Sequence, residues 1–136
     1  MNRGSLRWAV LEASLDPDLG HEQTGHRPVV VVSCEPFHAL GLATVVPVTS
    51  ARTSARFPGD VPLPAGEGRL QPGVIVCSQL RTVSLRRLQV TRRPRSYLTS
   101  PAVRARVRHA LAHQLALDLS TVADGASGRW RYAAST

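Results

Sequence analysis

Val29-Val30-Val31-Val32 is apolar at every position. A short run of that kind predicts a strand buried on both faces, here spanning residues 28–34. Pro28 cannot donate to a ladder and suits the first position of such a strand. Residues 8–13 read as an earlier strand, with a long polar loop over 14–27 between the two. Residues 43–48 predict a third strand, in which Pro47 marks an edge or a bend. Shorter runs at 60–63, 74–77 and 86–91 predict three more, and 35–40 a short helix. Polar loops fill 49–58 and 64–72; the second carries Gly66, Gly68 and two prolines.

The pattern changes period after residue 98. Ser100 suits a helix N-cap, and Pro101 suits the first helical position, where its missing N–H costs nothing. Val103, Val107, Leu111 and Leu115 then recur every four residues as one apolar stripe, expected to dock on the sheet or on a partner. Gly125 and Gly128 mark a break. Many short strands with one terminal helix predict a mainly β fold with a C-terminal α-helix, as a small twisted β-barrel. The expected organisation is one domain over 1–119 and a flexible tail over 120–136.

Composition narrows the function classes. A chain of 136 residues with 43% hydrophobic content suits one domain with one core. No apolar run reaches the ~20 residues of a membrane-spanning helix. The N-terminus lacks an apolar signal core, so the expected location is the cytoplasm. Cys34 and Cys77 each close a Val-rich run and are expected to be buried thiols, too few for a disulfide framework. His109 and His113 lie four apart on the terminal helix but lack a third ligand nearby in sequence, so no metal site and no cofactor is expected. Seventeen basic residues face nine acidic ones, a net charge of +8, and every basic residue is Arg. Guanidinium groups bind phosphate through two parallel hydrogen bonds and stack on bases, so nucleic acid is the natural partner for such a field.

Chemistry concentrates in the loop Gly20-His21-Glu22-Gln23-Thr24-Gly25-His26-Arg27-Pro28. An imidazole, a carboxylate and a guanidinium within seven residues suit an anionic substrate, and loops on a rigid scaffold are where chemistry usually sits. This block, followed by Val45 to Ser50 (which contains Val-Pro-Val-Thr-Ser) and by Val74 to Val83 (which contains Gln-Leu-Arg-Thr-Val), resembles the MazF/PemK/Kid family of toxin endoribonucleases. The three blocks stand in the family's order, and the match runs from about Arg7 to Leu119.

The resemblance implies an SH3-like barrel that forms a homodimer. It also implies metal-independent cleavage of single-stranded RNA, chiefly mRNA. The ribose 2′-hydroxyl attacks the adjacent phosphorus and leaves a 2′,3′-cyclic phosphate. Such a reaction needs a base, an acid and a cation on the non-bridging oxygens. By resemblance Arg27 is the catalytic arginine and Thr49 a phosphate hydrogen-bonder. Glu22 is the base or the group that orients Arg27, and His21 is a phosphate contact or alternative base. Gln23, Ser50, Ser78, Gln79 and Arg81 are candidates to grip RNA. The implied partner is an antitoxin with an acidic, flexible C-terminal segment; no membrane is involved.

Two departures from the family bear on activity. Arg7-Trp8-Ala9 stands where the family's first strand opens Arg-Gly-Asp/Glu. Val76 and Ser78 stand where some members carry an Arg and an Asp around the Cys of the third block. Two rival readings follow: a barrel that binds RNA without cutting it, and a CcdB-like toxin acting on DNA gyrase.

Overall fold

A computed structural model describes residues 4–15, 25–91 and 94–117. Seven strands and two helices follow one another as β1 (Ala9–Leu15), β2 (Gly25–Val31), α1 (Glu35–His38), β3 (Leu42–Thr49), β4 (Asp60–Leu63), β5 (Gly73–Val76), β6 (Arg81–Ser84), β7 (Ser96–Tyr97) and α2 (Pro101–Gln114). The strands form an antiparallel sheet in the order β4-β5-β3-β2-β1-β7, and β6 also pairs with β3. The expected boundary at 119 and the tail 120–136 lie outside the described residues.

The sheet has a core on each face. One holds Val30, Val46, Val48, Val61, Leu63 and Ile75 beneath Val103, Val107 and Ala110 of α2. The other holds Ala9, Leu11, Ala13, Val29, Val31, Ala43 and Val45 inside the curl closed by Val83, Leu85 and Leu88. Two-sided burial explains why the Val-rich strands carry no alternation. β3 bends at Pro47: residues 42–45 pair with β6, and 48–49 pair with β5 along the same edge. Proline therefore sits at the switch of partners, where a missing N–H breaks no ladder.

Several sequence expectations are corrected. β2 starts at Gly25, so Pro28 lies inside it, opposite Glu12. No strand covers 86–91; a 3-10 turn occupies Leu85–Arg87, and the strand lies earlier, at Arg81–Ser84. Cys34 is exposed, because the strand stops at Val31 and Cys34 leads into α1; only Cys77 is buried. The α2 stripe holds at Val103 and Val107, while Leu115 is 52% exposed beyond the last helical turn. The helix start is as read: Ser100 Oγ accepts from the Val103 N–H at 3.2 Å, with Pro101 following.

Trp8 adopts φ 70°, in the left-handed region, at the position where the resemblance has glycine. Such a conformation costs a bulky residue about 1–3 kcal/mol. The ring is buried to 6% exposure, between the guanidinium groups of Arg7 and Arg104, at 5.2 and 5.3 Å from its centroid. Burial of a large apolar side chain contributes roughly 2–3 kcal/mol, and each cation–π contact about 0.5–2 kcal/mol. Packing outweighs the strain, so this chain keeps a glycine-like backbone with a tryptophan on it.

Candidate active site

β2 and β3 pair as Val29↔Pro47, Val30↔Val46 and Val31↔Val45. The observed pairs stop at Val29↔Pro47, with Arg27 two residues before Val29 on β2 and Thr49 two residues after Pro47 on β3. Both fall on the face of Val29 and Pro47, since side chains alternate. Each stands two residues beyond the last observed β2–β3 pair of its strand. Arg27 is half-buried, and burial lowers its pKa from the ordinary arginine value. Its guanidinium makes no hydrogen bond or ion pair among the described residues. Thr49 Oγ1 accepts from the Ala51 N–H at 3.1 Å, which leaves the hydroxyl hydrogen free to donate.

Ser50 is exposed, and its Oγ accepts from Arg69 Nη2 at 2.8 Å. Ser78 and Gln79 are exposed on the 3-10 turn Cys77–Gln79 that links β5 to β6. Arg81 is half-buried on β6, opposite Val45. Val45 lies four residues before Thr49, about 13 Å along β3. Arg27 near the start of β2 and Thr49 and Ser50 at the end of β3 lie beyond one end of the β2–β3 ladder, while Arg81 pairs at its other end. His21, Glu22 and Gln23 lie outside the described residues.

Asp60, which no sequence motif singles out, orders the loop that follows Ser50. One carboxylate oxygen, Oδ2, accepts from Arg52 Nη1 and from the N–H groups of Arg56 and Phe57, the latter two at 2.9 and 3.1 Å. The Arg52 hydrogen bond holds the carboxyl pKa below the ordinary value, against burial, which raises it. Arg52 also covers the Phe57 ring at 5.6 Å. Nearby, burial pushes the Cys77 thiol up to about 12, with Asp60 adding to the rise. A thiol in that state is no nucleophile.

Ser33, His38 and Glu35 form a chain with the layout of a nucleophile relay. Ser33 Oγ lies 2.8 Å from His38 Nε2, and His38 Nδ1 lies 3.0 Å from Glu35 Oε1. Its surroundings make it structural. His38 is 2% exposed, and Ser33 Oγ accepts from the Thr44 N–H at 2.9 Å, beside the Thr44 carbonyl. Glu35 Oε2 accepts from Ser5 Oγ and from the N–H groups of Leu6 and Arg7 at 2.7–2.9 Å, which ties the start of β1 to α1.

Desolvation raises the Glu35 pKa, but bonds from Arg7, His38, Ser5 and Leu6 outweigh it and bring it down from 4.5 to about 2. A folded pKa below the unfolded one adds stability above the unfolded value and loses it as pH falls towards the folded value. The Glu35 contribution is therefore complete above about pH 5 and is lost between pH 4.5 and about 2. Urea midpoints measured from pH 6 to pH 3 should fall less steeply in Glu35→Gln than in the parent. Equal slopes would remove Glu35 from the acid response.

Among the described residues no three His, Cys, Asp or Glu side chains gather as metal ligands, and His109 and His113 are both exposed. No described helix is long and apolar enough to cross a membrane.

An antiparallel half-barrel with a C-terminal helix defines the fold class as MazF-like. Residues 6–115 match the model of the PemK-like, MazF-like toxins of type II toxin–antitoxin systems, and the chain belongs to that family. It is 42% identical over 87 residues to the endoribonuclease PemK of Escherichia coli. That alignment covers 63% of this chain and 62% of PemK, less than two thirds of that relative's length. A crystal structure of MazF from Deinococcus radiodurans superposes with a TM-score of 0.61 at 32% identity, covering 82% of this chain and 96% of that one. A MazE–MazF structure from the same organism gives 0.61 at 27% identity, over 82% and 96%.

Proposed function

We propose that this chain is the endoribonuclease toxin of a toxin–antitoxin pair, acting in the cytoplasm as a homodimer on single-stranded RNA, chiefly mRNA. The observation that carries the reading is the match of residues 6–115 to the MazF-like toxins; the position of Arg27 and Thr49, each two residues beyond the Val29↔Pro47 pair, supports the choice of site. The 2′-hydroxyl oxygen attacks the adjacent phosphorus, the bond to the 5′-oxygen breaks, and a 2′,3′-cyclic phosphate remains. Arg27 stabilises charge on the non-bridging oxygens, the largest single effect available to such a site. Thr49 donates to one of them. Glu22 accepts the hydroxyl proton or orients Arg27, and His21 contacts phosphate. Gln23, Ser50, Ser78, Gln79 and Arg81 hold the flanking strand.

The antitoxin's acidic, flexible C-terminal segment competes for the same positive face, folding as it binds. The relation to a MazE–MazF assembly supports a partner of this kind. No step calls on a metal. Incubation with a long mixed-sequence RNA in EDTA should give discrete cuts ending in 2′,3′-cyclic phosphates. Binding with a steep salt slope and intact RNA would instead identify an RNA-binding barrel that has lost the reaction with the acids missing at Ala9 and Ser78.

A further inference from the structure

A cleft of about 240 Å³ opens where Pro28 of β2 faces Glu12 of β1, on the face of β2 opposite to that of Arg27. Glu12, Pro28, Arg69, Gln89, Arg95 and Ser96 line it, with Val10 and Pro94 as further apolar wall. Its construction begins at Gly68. That residue has φ +80°, and a Cβ there would collide with the Val10 side chain, so only glycine lets the loop settle on β1. The settled loop aims Arg69 across the sheet end to Ser50, the neighbour of Thr49. Pro28, the neighbour of Arg27, forms the facing wall. The cleft thus touches both halves of the proposed catalytic pair through adjacent residues.

Its polar groups have a definite sense. The Glu12 carboxylate makes no hydrogen bond or ion pair among the described residues, although its own carbonyl accepts from the Gln89 N–H at 3.0 Å. Arg69 Nη2 is engaged with Ser50 and Gln71, while Nη1 is buried without a partner. Arg95 is committed to the backbone carbonyls of Ser5 and Val90. The cleft therefore offers a carboxylate acceptor between apolar walls, while the Arg69 guanidinium serves to fix the wall. A phosphate would meet the repulsion of Glu12. Adenine sets a ring nitrogen acceptor against a carboxylate. Guanine alone of the four bases presents two adjacent donors, N1–H and the N2 amine, which match the two oxygens of one carboxylate. Its flat faces suit Pro28, Val10 and Pro94.

We infer that this cleft is a guanine-binding subsite. Glu12 accepts from the N1–H and N2 amine of a guanine base seated between the apolar walls. The inference rests on the RNA reading above for its biological use but not for its test. GMP, IMP and AMP share one phosphate and ribose, so differences among them report the base. NMR titration of the purified protein should show GMP binding about ten- to a hundredfold more tightly than AMP, the usual range for a well-formed two-bond base contact. IMP, which lacks the N2 amine, should fall between them. Glu12→Gln replaces a side chain that bonds nothing among the described residues, so its thermal melt should match the parent while the preference for GMP disappears. Equal affinities for GMP and AMP, no shifts with either, or an unchanged preference in Glu12→Gln would each overturn the guanine assignment. GMP preference in a protein that leaves RNA intact would sustain the subsite and defeat the nuclease reading.

Discussion

Arg27→Ala is expected to lower RNA cleavage at least about 10²–10³-fold, the usual cost of removing one preorganised donor from a developing oxyanion, while leaving the fold intact. Both halves of that expectation come from the same observation. Arg27 makes no protein hydrogen bond or ion pair among the described residues, so its removal orphans no partner there. Its stem is only half-buried. The stability change should stay within about 0.5 kcal/mol, as for surface positions free of named contacts. Its opposite number on β1 is Ala13, which has no polar side-chain group to orphan. Arg27→Lys sharpens the test, since an ammonium keeps the charge but loses the planar fork; it should recover only part of the rate. End mapping of the parent and both variants on one RNA, with thermal melts alongside, decides the matter. Full activity in Arg27→Ala would remove this residue from the site, and a collapsed melt would make it a structural arginine.

How much of this site is legible in the sequence depends on which link is asked for. The buried strands are legible because Val74, Ile75 and Val76, like the run from Val29, are apolar without alternation, and only two-sided burial allows that. The segment 81–84 escapes because only Val83 enters a core, and the other three positions read as polar loop. β7 escapes because two residues, Ser96 and Tyr97, carry no period at all; they become a strand only through β1. Cys34 misleads because the Val run outlasts the strand.

The position of Arg27 and Thr49 relative to each other is a property of register. Twenty-two residues of separation do not fix register, so these two could be named together only through the resemblance of three motif blocks. Asp60 and Arg69 carry no motif. Asp60 matters because Arg52 and two backbone donors converge on it, and Arg69 because Gly68 lies flat on Val10. Those are facts of packing, and a single sequence read for period and composition has no term for them.

Asp60→Ala should be the most destabilising single change in the described site region, at about 3–5 kcal/mol, the range for removing one partner of a buried ion pair. The Asp60 side chain is 1% exposed and that of Arg52 17%, so water cannot replace the lost bonds cheaply. Alanine would strand the Arg52 guanidinium and the N–H groups of Arg56 and Phe57 together. Against a whole-domain stability of 5–15 kcal/mol, on the order of other single domains, such a loss would lower the melting temperature by roughly 10–20 °C.

The comparison with Arg52→Ala separates charge from geometry. That variant leaves Asp60 two backbone donors and a carboxylate with fewer partners, so its cost should be smaller. A double-mutant cycle should return a coupling energy of about 1 kcal/mol or more, because the two groups share one contact. The functional consequence follows from position. Asp60 pairs with Val76 on β5, and the Cys77 N–H donates to the Gly59 carbonyl at 2.8 Å, so the loop after Ser50 and the turn carrying Ser78 are held by the same few residues. Below its melting point, Asp60→Ala should therefore bind RNA more weakly than the parent even though Asp60 touches no RNA in the proposed scheme. Asp60→Asn keeps an oxygen acceptor for the two backbone groups and should recover part of both losses. A loss below 1 kcal/mol in Asp60→Ala would show that the loop is held by something other than this carboxylate.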